Sequence, residues 1–492
     1  MHADPHIAAS RVSEPLIEAM LDLSARLSWA DLPRATRHEL KRELLDYIGG
    51  MLAGRAVVGL PGWLDVLIGQ GGRAEAHVMG GAAVPATTAA LCNGYYGHVL
   101  ELDDTHENAQ MHAGSATLPA LFALAERNGP TSGERLCMAA LLAIELTARI
   151  GIGTRLNLAH SGWIFGSLFG HFGAAFGSAM LAGLDAETTR NAVGIAYTLD
   201  SGNHQSTVES APTKHVQPGY AAMHGVLATL MAGGGLTGVH QPITGEDGLA
   251  RVFLRGEYDP AAAIEGIGTR FEVDRLSYKP YPSCRYTHPA VGAALRLRER
   301  LGADVAKIEA IEIAMQPGAF NVVGRDNAGR FNPQRRMEAQ FSVQWCVAVA
   351  LLYGAPTVTH LLEMVPPTPA VAALMARIKA RPDPDDKSRG AGTATVCVRG
   401  PFGTLEEFER IAPGHPDNPL DDAALIAKFT GNVALGGIGA AEAAELAAAL
   451  LDIDALADVR PLLARIAKAC RSMDVSASSA PSAPSAPSAT SR

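Results

Sequence analysis

The sequence predicts a mostly α protein, in which a large all-helical domain built from N- and C-terminal segments carries a smaller inserted α/β domain. Three observations lead there. Ahead of Phe271, apolar residues recur at three- and four-residue intervals, the stripe of amphipathic helices. After it, two stretches alternate apolar and polar residues one by one, as half-buried strands do. From Asp421 the helical spacing returns. The expected boundaries are 10–268 and 405–470 for the two helical segments, 269–404 for the inserted domain, and 476–492 for a tail.

The elements follow in order. Ser13 is placed to cap a helix with Pro15 in its first turn and Leu16, Met20, Leu23 and Leu27 on one face. A second helix follows Pro33, with Leu40, Leu44, Tyr47, Ile48 and Met51 as its stripe. Gly114-Ser115 opens the apolar run Ala116 to Ala125, which the breaker Asn128-Gly129-Pro130 ends. Further helices are expected from Glu134 to Arg149, from Gly173 to Ala182, and from Ala186 to Thr198 behind the cap Asp185. No strand alternation is legible in this half. In the inserted part, Ile311, Ile313 and Met315 form one strand pattern and Ala394, Val396 and Val398 another. Gly400-Pro401-Phe402-Gly403 turns the second into Thr404 to Phe408 as a hairpin. Helices are expected at Pro289–Arg300, Glu338–Leu352, Val371–Lys379, Asp421–Phe429 and Ala440–Leu451. The tail repeats Ser-Ala-Pro, a composition without a packed core.

Composition narrows the function. The chain has 492 residues, 48% hydrophobic and 18% charged, enough to bury a large interior. A net charge of −9 argues against nucleic acid as the main partner. No uninterrupted apolar run reaches the ~18 residues of a membrane span, and Met1 to Val12 lacks the apolar core of an export signal. The expectation is a soluble cytoplasmic protein. Six scattered cysteines (Cys92, Cys137, Cys284, Cys346, Cys397, Cys470) lack the spacing of a zinc or iron–sulfur site, and no phosphate-loop or zinc-protease motif occurs. No metal and no cofactor are therefore expected; the chemistry falls to side chains.

Three polar segments interrupt the apolar pattern. The first is Glu101-Leu102-Asp103-Asp104-Thr105-His106, followed by His112 just before a helix start. It reads as an acid–base platform next to a helix N-terminus that favours an anion; the plainer alternative is a solvated loop. The second places Lys214 at the mouth of an Ala/Gly-rich helix, either against an anion or as a surface lysine. The third, Tyr278 to Pro289, presents Lys279, Arg285 and His288 on a proline-stiffened loop suited to a small carboxylate. Cys284 lies in the same loop without a motif that would make it a nucleophile.

Taken together with Leu91-Cys92-Asn93-Gly94, Ala339-Gln340-Phe341-Ser342 and Gly414-His415-Pro416, these words resemble the MmgE/PrpD family, which includes 2-methylcitrate dehydratase, cis-aconitate decarboxylase and iminodisuccinate epimerase. They run in family order over about residues 15 to 465. The resemblance implies that the inserted α/β unit is a lid domain, that the protein is a homodimer, and that the active site lies between the two domains without metal or organic cofactor. Residue by residue, it implies a site acid at Glu101 or Asp104, a threonine at Thr105, a histidine at His112, and lysines at Lys214 and Lys279. Two positions depart from the family pattern: Ile164 stands where a further site histidine is usual, and Trp345 where tyrosine is frequent.

The function expected on this footing is a lyase acting on a small di- or tricarboxylate such as 2-methylcitrate, citrate or aconitate, with dehydration preferred to decarboxylation. Epimerisation of a related, iminodisuccinate-like dicarboxylate is the alternative. His112, Lys214, Lys279 and Asp104 are the expected catalytic residues. Glu101, Thr105, Arg285 and His288 are the expected substrate-binding residues. The fixed cations would stabilise charge developing on a carboxylate while His112 moves a proton.

Overall fold

The computed structural model describes residues 13–325 and 327–470. The tail at 476–492 and the stretch Met1 to Val12 lie outside the described residues. The body is helical, with the long helices Arg34–Val58, Ala86–His98, Gly114–Arg127, Gly133–Gly153, Phe165–Ala182, Ala186–Thr198 and Gln217–Gly233 in its first segment. Asp422–Ala434, Ala440–Leu451 and Arg460–Ala469 return from the C-terminal side to pack on them. Buried apolar residues sort into two main cores. One draws mainly on Leu16 to Tyr278 and Leu425 to Cys470; the other runs from Tyr281 to Val398. A break in the core thus falls between Tyr278 and Tyr281, on either side of Lys279 and Pro280.

The inserted part holds a four-stranded mixed sheet in the order Ile378–Pro382, Ala310–Met315, Ala394–Gly400, Gly403–Glu409. The first pair is parallel, with Ile313 opposite Ala380, and the other two pairs are antiparallel. The expected hairpin closes with Gly400 opposite Gly403. Helix His288–Leu301 packs on the sheet and against Val343–Tyr353.

Several local expectations change. The first helix runs Pro15–Arg26 and is not capped by Ser13: its N-cap is Glu14, whose carboxylate instead accepts from the backbone N–H of Ile243 and Thr244. The helix expected to begin at Gly173 begins at Phe165. Its glycines are close-approach points rather than breaks. A Cβ on Gly170 would stand 2.4 Å from the Ala116 Cβ, and one on Gly173 1.8 Å from Thr147 Oγ1. The expected Glu338–Leu352 helix is two, Arg336–Gln340 and Val343–Tyr353, because Ser342 caps the second by accepting from the Trp345 N–H. The Val371–Lys379 helix stops at Met375, and Ile378–Pro382 becomes an edge strand, where Pro382 needs no ladder partner for its nitrogen. Two short ladders, Ala76–His77 with Ala83–Val84 and Thr105–His106 with Leu276–Ser277, add strand to the helical half. Helix Gly133–Gly153 is long and apolar enough to cross a membrane, but it is buried in the core, where Arg149 Nε donates to Glu145 at 2.7 Å.

Candidate active site

The junction of the two cores is where the polar words converge. Helix Ala86–His98 ends at a turn in which Glu101 takes the left-handed conformation, φ +53°, uncommon for a residue with a side chain. The chain then passes Asp103 and Asp104 and pairs Thr105–His106 with Leu276–Ser277, the strand that leads into Lys279. That ladder ties the acidic word to the cationic loop. Gly414 holds the loop from the other side: the Tyr278 N–H donates to the Gly414 carbonyl at 2.9 Å, and a Cβ on Gly414 (φ +86°) would stand 1.8 Å from the Tyr278 carbonyl.

Five side chains close a ring there. Lys214 Nζ pairs with Glu101 and donates to His98 Nε2 at 2.7 Å. Since the ammonium can only donate, His98 Nε2 accepts and its Nδ1–H is left to donate to Asp103, 2.7 Å away. Lys279 Nζ stands 3.4 Å from both Glu101 and Asp103 and completes the circuit. Burial works to raise the pKa of both carboxyls. The Lys214 and Lys279 charges outweigh it for Glu101, and the hydrogen bond from His98 together with the Lys279 charge does so for Asp103, so both stay well below the usual carboxylate range. Burial works to lower Lys279, but Asp103 and Glu101 hold it above its ordinary value.

His112 stands beside this ring. Its Nδ1 lies 2.6 Å from the Asp104 carbonyl, which can only accept, so Nδ1 carries the hydrogen and Nε2 the lone pair. Thr105 Oγ1 is 3.4 Å and Asp103 Oδ2 3.8 Å from the same nitrogen. Burial first and the Lys279 charge second push His112 down to about 3, so the ring is neutral at pH 7. Asp104 does not touch the imidazole through its carboxyl. Its two oxygens accept from the Ala113 and Gly114 N–H groups at 3.0 and 2.9 Å, capping the helix that begins at Gly114. Burial and then the Asp103 charge push Asp104 up to about 7 against those two hydrogen bonds.

A cleft of about 650 Å³, mouth included, opens on this cluster. Glu101, Thr105, His112, Lys214 and Arg285 line it; Lys279, Asp104 and His288 do not. Lys279 is 0% exposed, and His288 is equally buried, behind Arg285, with ring nitrogens 3.3 Å from Arg285 Nη1 and from the Ser283 carbonyl. Arg285 is already engaged. Its Nε donates to Glu107 at 2.8 Å and its Nη atoms to the carbonyls of Pro413 and Ala412. Lys214 is therefore the ammonium that faces the cleft, seated 5.0 Å from the centre of the Phe341 ring. Ile164 lines the cleft as an apolar wall, whereas Trp345 is buried in the lid core and donates its indole N–H to the Met364 carbonyl. Cys284 lines the cleft as well, but burial pushes its thiol up to about 11, which withholds the thiolate.

Sequence reasoning missed several members. His98 comes from a stretch that reads as apolar, and His215 sits beside Lys214 in the second polar segment without being singled out there; burial puts His215 at about 4, and its Nε2 is 3.4 Å from Glu101. Glu43 and Asp46 lie one turn apart on the Arg34–Val58 helix, and Lys428 reaches Asp46 at 2.6 Å from the C-terminal segment. The signal was present: two acids three residues apart inside an otherwise apolar stripe. His204 lines the same cleft as His112 and belongs to no motif.

A helical body, a smaller α/β domain, and an internally neutralised acid–base cluster where they meet define a two-domain protein with a candidate site at the junction. The chain belongs to the MmgE/PrpD family: residues 18–261 match the MmgE/PrpD N-terminal domain and residues 281–453 the MmgE/PrpD C-terminal domain. The gap between the two matches contains Lys279. Among known proteins, the chain is 25% identical to a cis-aconitate decarboxylase of Aspergillus terreus over 89% of this chain and 93% of that one. It is 27% identical to the cis-aconitate decarboxylase of Homo sapiens over 71% and 73%, and 26% identical to that of Mus musculus over 71% and 72%.

Proposed function

We propose that the protein is a lyase of a small polycarboxylate that works by proton transfer at a carbon next to a carboxylate, using side chains alone, with loss of carbon dioxide ahead of loss of water. The observation that carries this reading is the neutral His112, with its Nε2 lone pair unengaged among the described residues, in the same cleft as the Lys214 ammonium. The similarity to decarboxylases reverses the order of preference between decarboxylation and dehydration that the sequence words suggest.

In this reading one substrate carboxylate pairs with Lys214, whose position Glu101 and His98 hold. The apolar wall of Ile164, Met111, Val322 and Phe341 desolvates the carboxylate that leaves. As the carbon–carboxylate bond breaks, its electron pair moves into the adjacent unsaturated carboxylate system, where fixed cations stabilise it. His112 then gives a proton to carbon. It can hold one because a bound polyanion opposes the depressing field of Lys279 and raises the imidazole's proton affinity. Thr105 hydrogen-bonds the substrate, and Asp104 orients His112 through its backbone carbonyl. The reading includes a homodimer, supported by the exposed Tyr220 and Met231 on helix Gln217–Gly233, with the half-buried Met223, Leu227 and Leu230 between them.

The test is the product formed from cis-aconitate, 2-methylcitrate, citrate and iminodisuccinate, followed by NMR in heavy water. Carbon dioxide with a deuterated unsaturated acid is the expected result. An alkene without carbon dioxide gives the dehydratase, and deuterium exchange without alkene gives the epimerase. No turnover of any of these acids overturns the reading. His112→Ala and Lys214→Ala should each abolish turnover with the fold intact by circular dichroism.

A further inference from the structure

The cleft holds a second imidazole. His204 comes from a segment that pairs with the one carrying Ile164: the Ile164 N–H donates to the Gly202 carbonyl at 3.1 Å, and the His204 N–H to the Gly162 carbonyl at 2.9 Å. Trp163 and Asn203 bridge between them. The His204 position is therefore fixed by backbone, yet its ring nitrogens make no hydrogen bond among the described residues. Beyond it lies a second cavity that shares His204 and Val322 with the main cleft and is lined by Arg330. Arg330 is 4% exposed and donates to the carbonyls of Val322 and Thr207, both from residues of the cleft wall, while its Nε has no partner among the described residues.

Charge sets Arg330 apart. Lys214 and Lys279 are matched by Glu101 and Asp103, and Arg285 by Glu107. Arg330 faces no carboxylate within ion-pair distance among the described residues, and a buried cation without a counter-charge is costly. An anion held at His204, on the near side of that wall, would supply the missing charge.

We propose that His204, backed by Arg330, is the seat of the substrate's second carboxylate and selects polycarboxylates over monocarboxylates. The proposal rests on the polycarboxylate reading above. A carboxylate there accepts from the His204 ring N–H and lies in the field of the guanidinium, leaving Lys214 and His112 to the reacting end.

Calorimetric titration of the full chain with glutarate and with its monomethyl ester tests it. The parent should prefer glutarate by about tenfold or more, the size of one charge-assisted contact. In His204→Leu and Arg330→Met that preference should fall to within about threefold, while affinity for the monomethyl ester stays near the parental value. If Arg330→Met does not fold, His204→Leu decides alone. Retention of the full preference in His204→Leu, or an equal loss for both ligands, overturns the proposal. A parent that binds neither acid overturns the polycarboxylate reading itself, a different outcome.

Discussion

Asp104 shows how one residue can support the candidate site from behind His112. Its carboxyl caps a helix and its carbonyl orients His112. Because burial raises it from 3.8 to about 7, the folded state holds a proton that the unfolded chain has released across that window. Its stabilising share is therefore full below the unfolded pKa and is lost as pH rises through about 7. Asp104→Asn, which cannot titrate, should gain on the parent by about 1 kcal/mol between pH 6 and pH 8 in paired urea melts; an unchanged difference would refute the raised pKa. His112 gives the complementary prediction. Polycarboxylate binding at pH 7 should take up a proton, seen as a dependence of the titration enthalpy on the ionisation heat of the buffer, and His112→Ala should abolish that uptake. The word Glu101 to His112 made His112 legible as a proton carrier, but not that Asp104 would reach it through its carbonyl while its carboxyl caps a helix. The sequence could not say that Lys279 would be walled in, because whether a lysine meets solvent or two carboxylates depends on a ladder between residues over a hundred positions apart.

Elements meet at glycines. Gly94 of helix Ala86–His98 lies against Gly219 of helix Gln217–Gly233, where a Cβ on Gly94 would stand 2.6 Å from the Gly219 Cα. This contact sets the distance between the helix that ends at His98 and the one that follows Lys214, so it also sets the His98–Lys214 hydrogen bond. Gly94→Ala should cost about 1–3 kcal/mol by overpacking and reduce turnover more than stability alone explains, checked by comparing kcat at a temperature where the variant stays folded. Helix existence was readable from apolar spacing for most of the long helices but not for Ala86–His98 or Arg460–Ala469, and the strand pair around the hairpin from alternation. The boundary at Phe165 was not, since glycines that permit contact look identical in sequence to glycines that break a helix, and those at Ser342 and Met375 depend on a cap and on strand pairing that apolar spacing does not show.

For the whole molecule, the two-segment body has an energetic meaning. Lys428, from the C-terminal segment, donates to Asp46 and to the Leu102 carbonyl, beside the buried Glu43. Lys428→Met would strand Asp46 among like charges and should destabilise the fold by about 3–5 kcal/mol, read as a shift in the urea midpoint; a shift near zero would mean the acid simply stays protonated. The proposed dimer should appear in sedimentation velocity, and Tyr220→Asp on the exposed face should shift it toward monomer. That the body is assembled from both ends of the chain was visible once helical spacing resumed after the α/β stretch. What sequence could not reveal is that the late segment supplies a charge to the buried acids of the Arg34–Val58 helix.

That same long reach dictates an order of events at the ribosome. Until the segment carrying Lys428 has emerged, Glu43 and Asp46 have no ammonium beside them, so these two acids must stay solvated or protonated while the first segment folds. Chains stopped before Lys428 should consequently bury those two acids only with a proton on each.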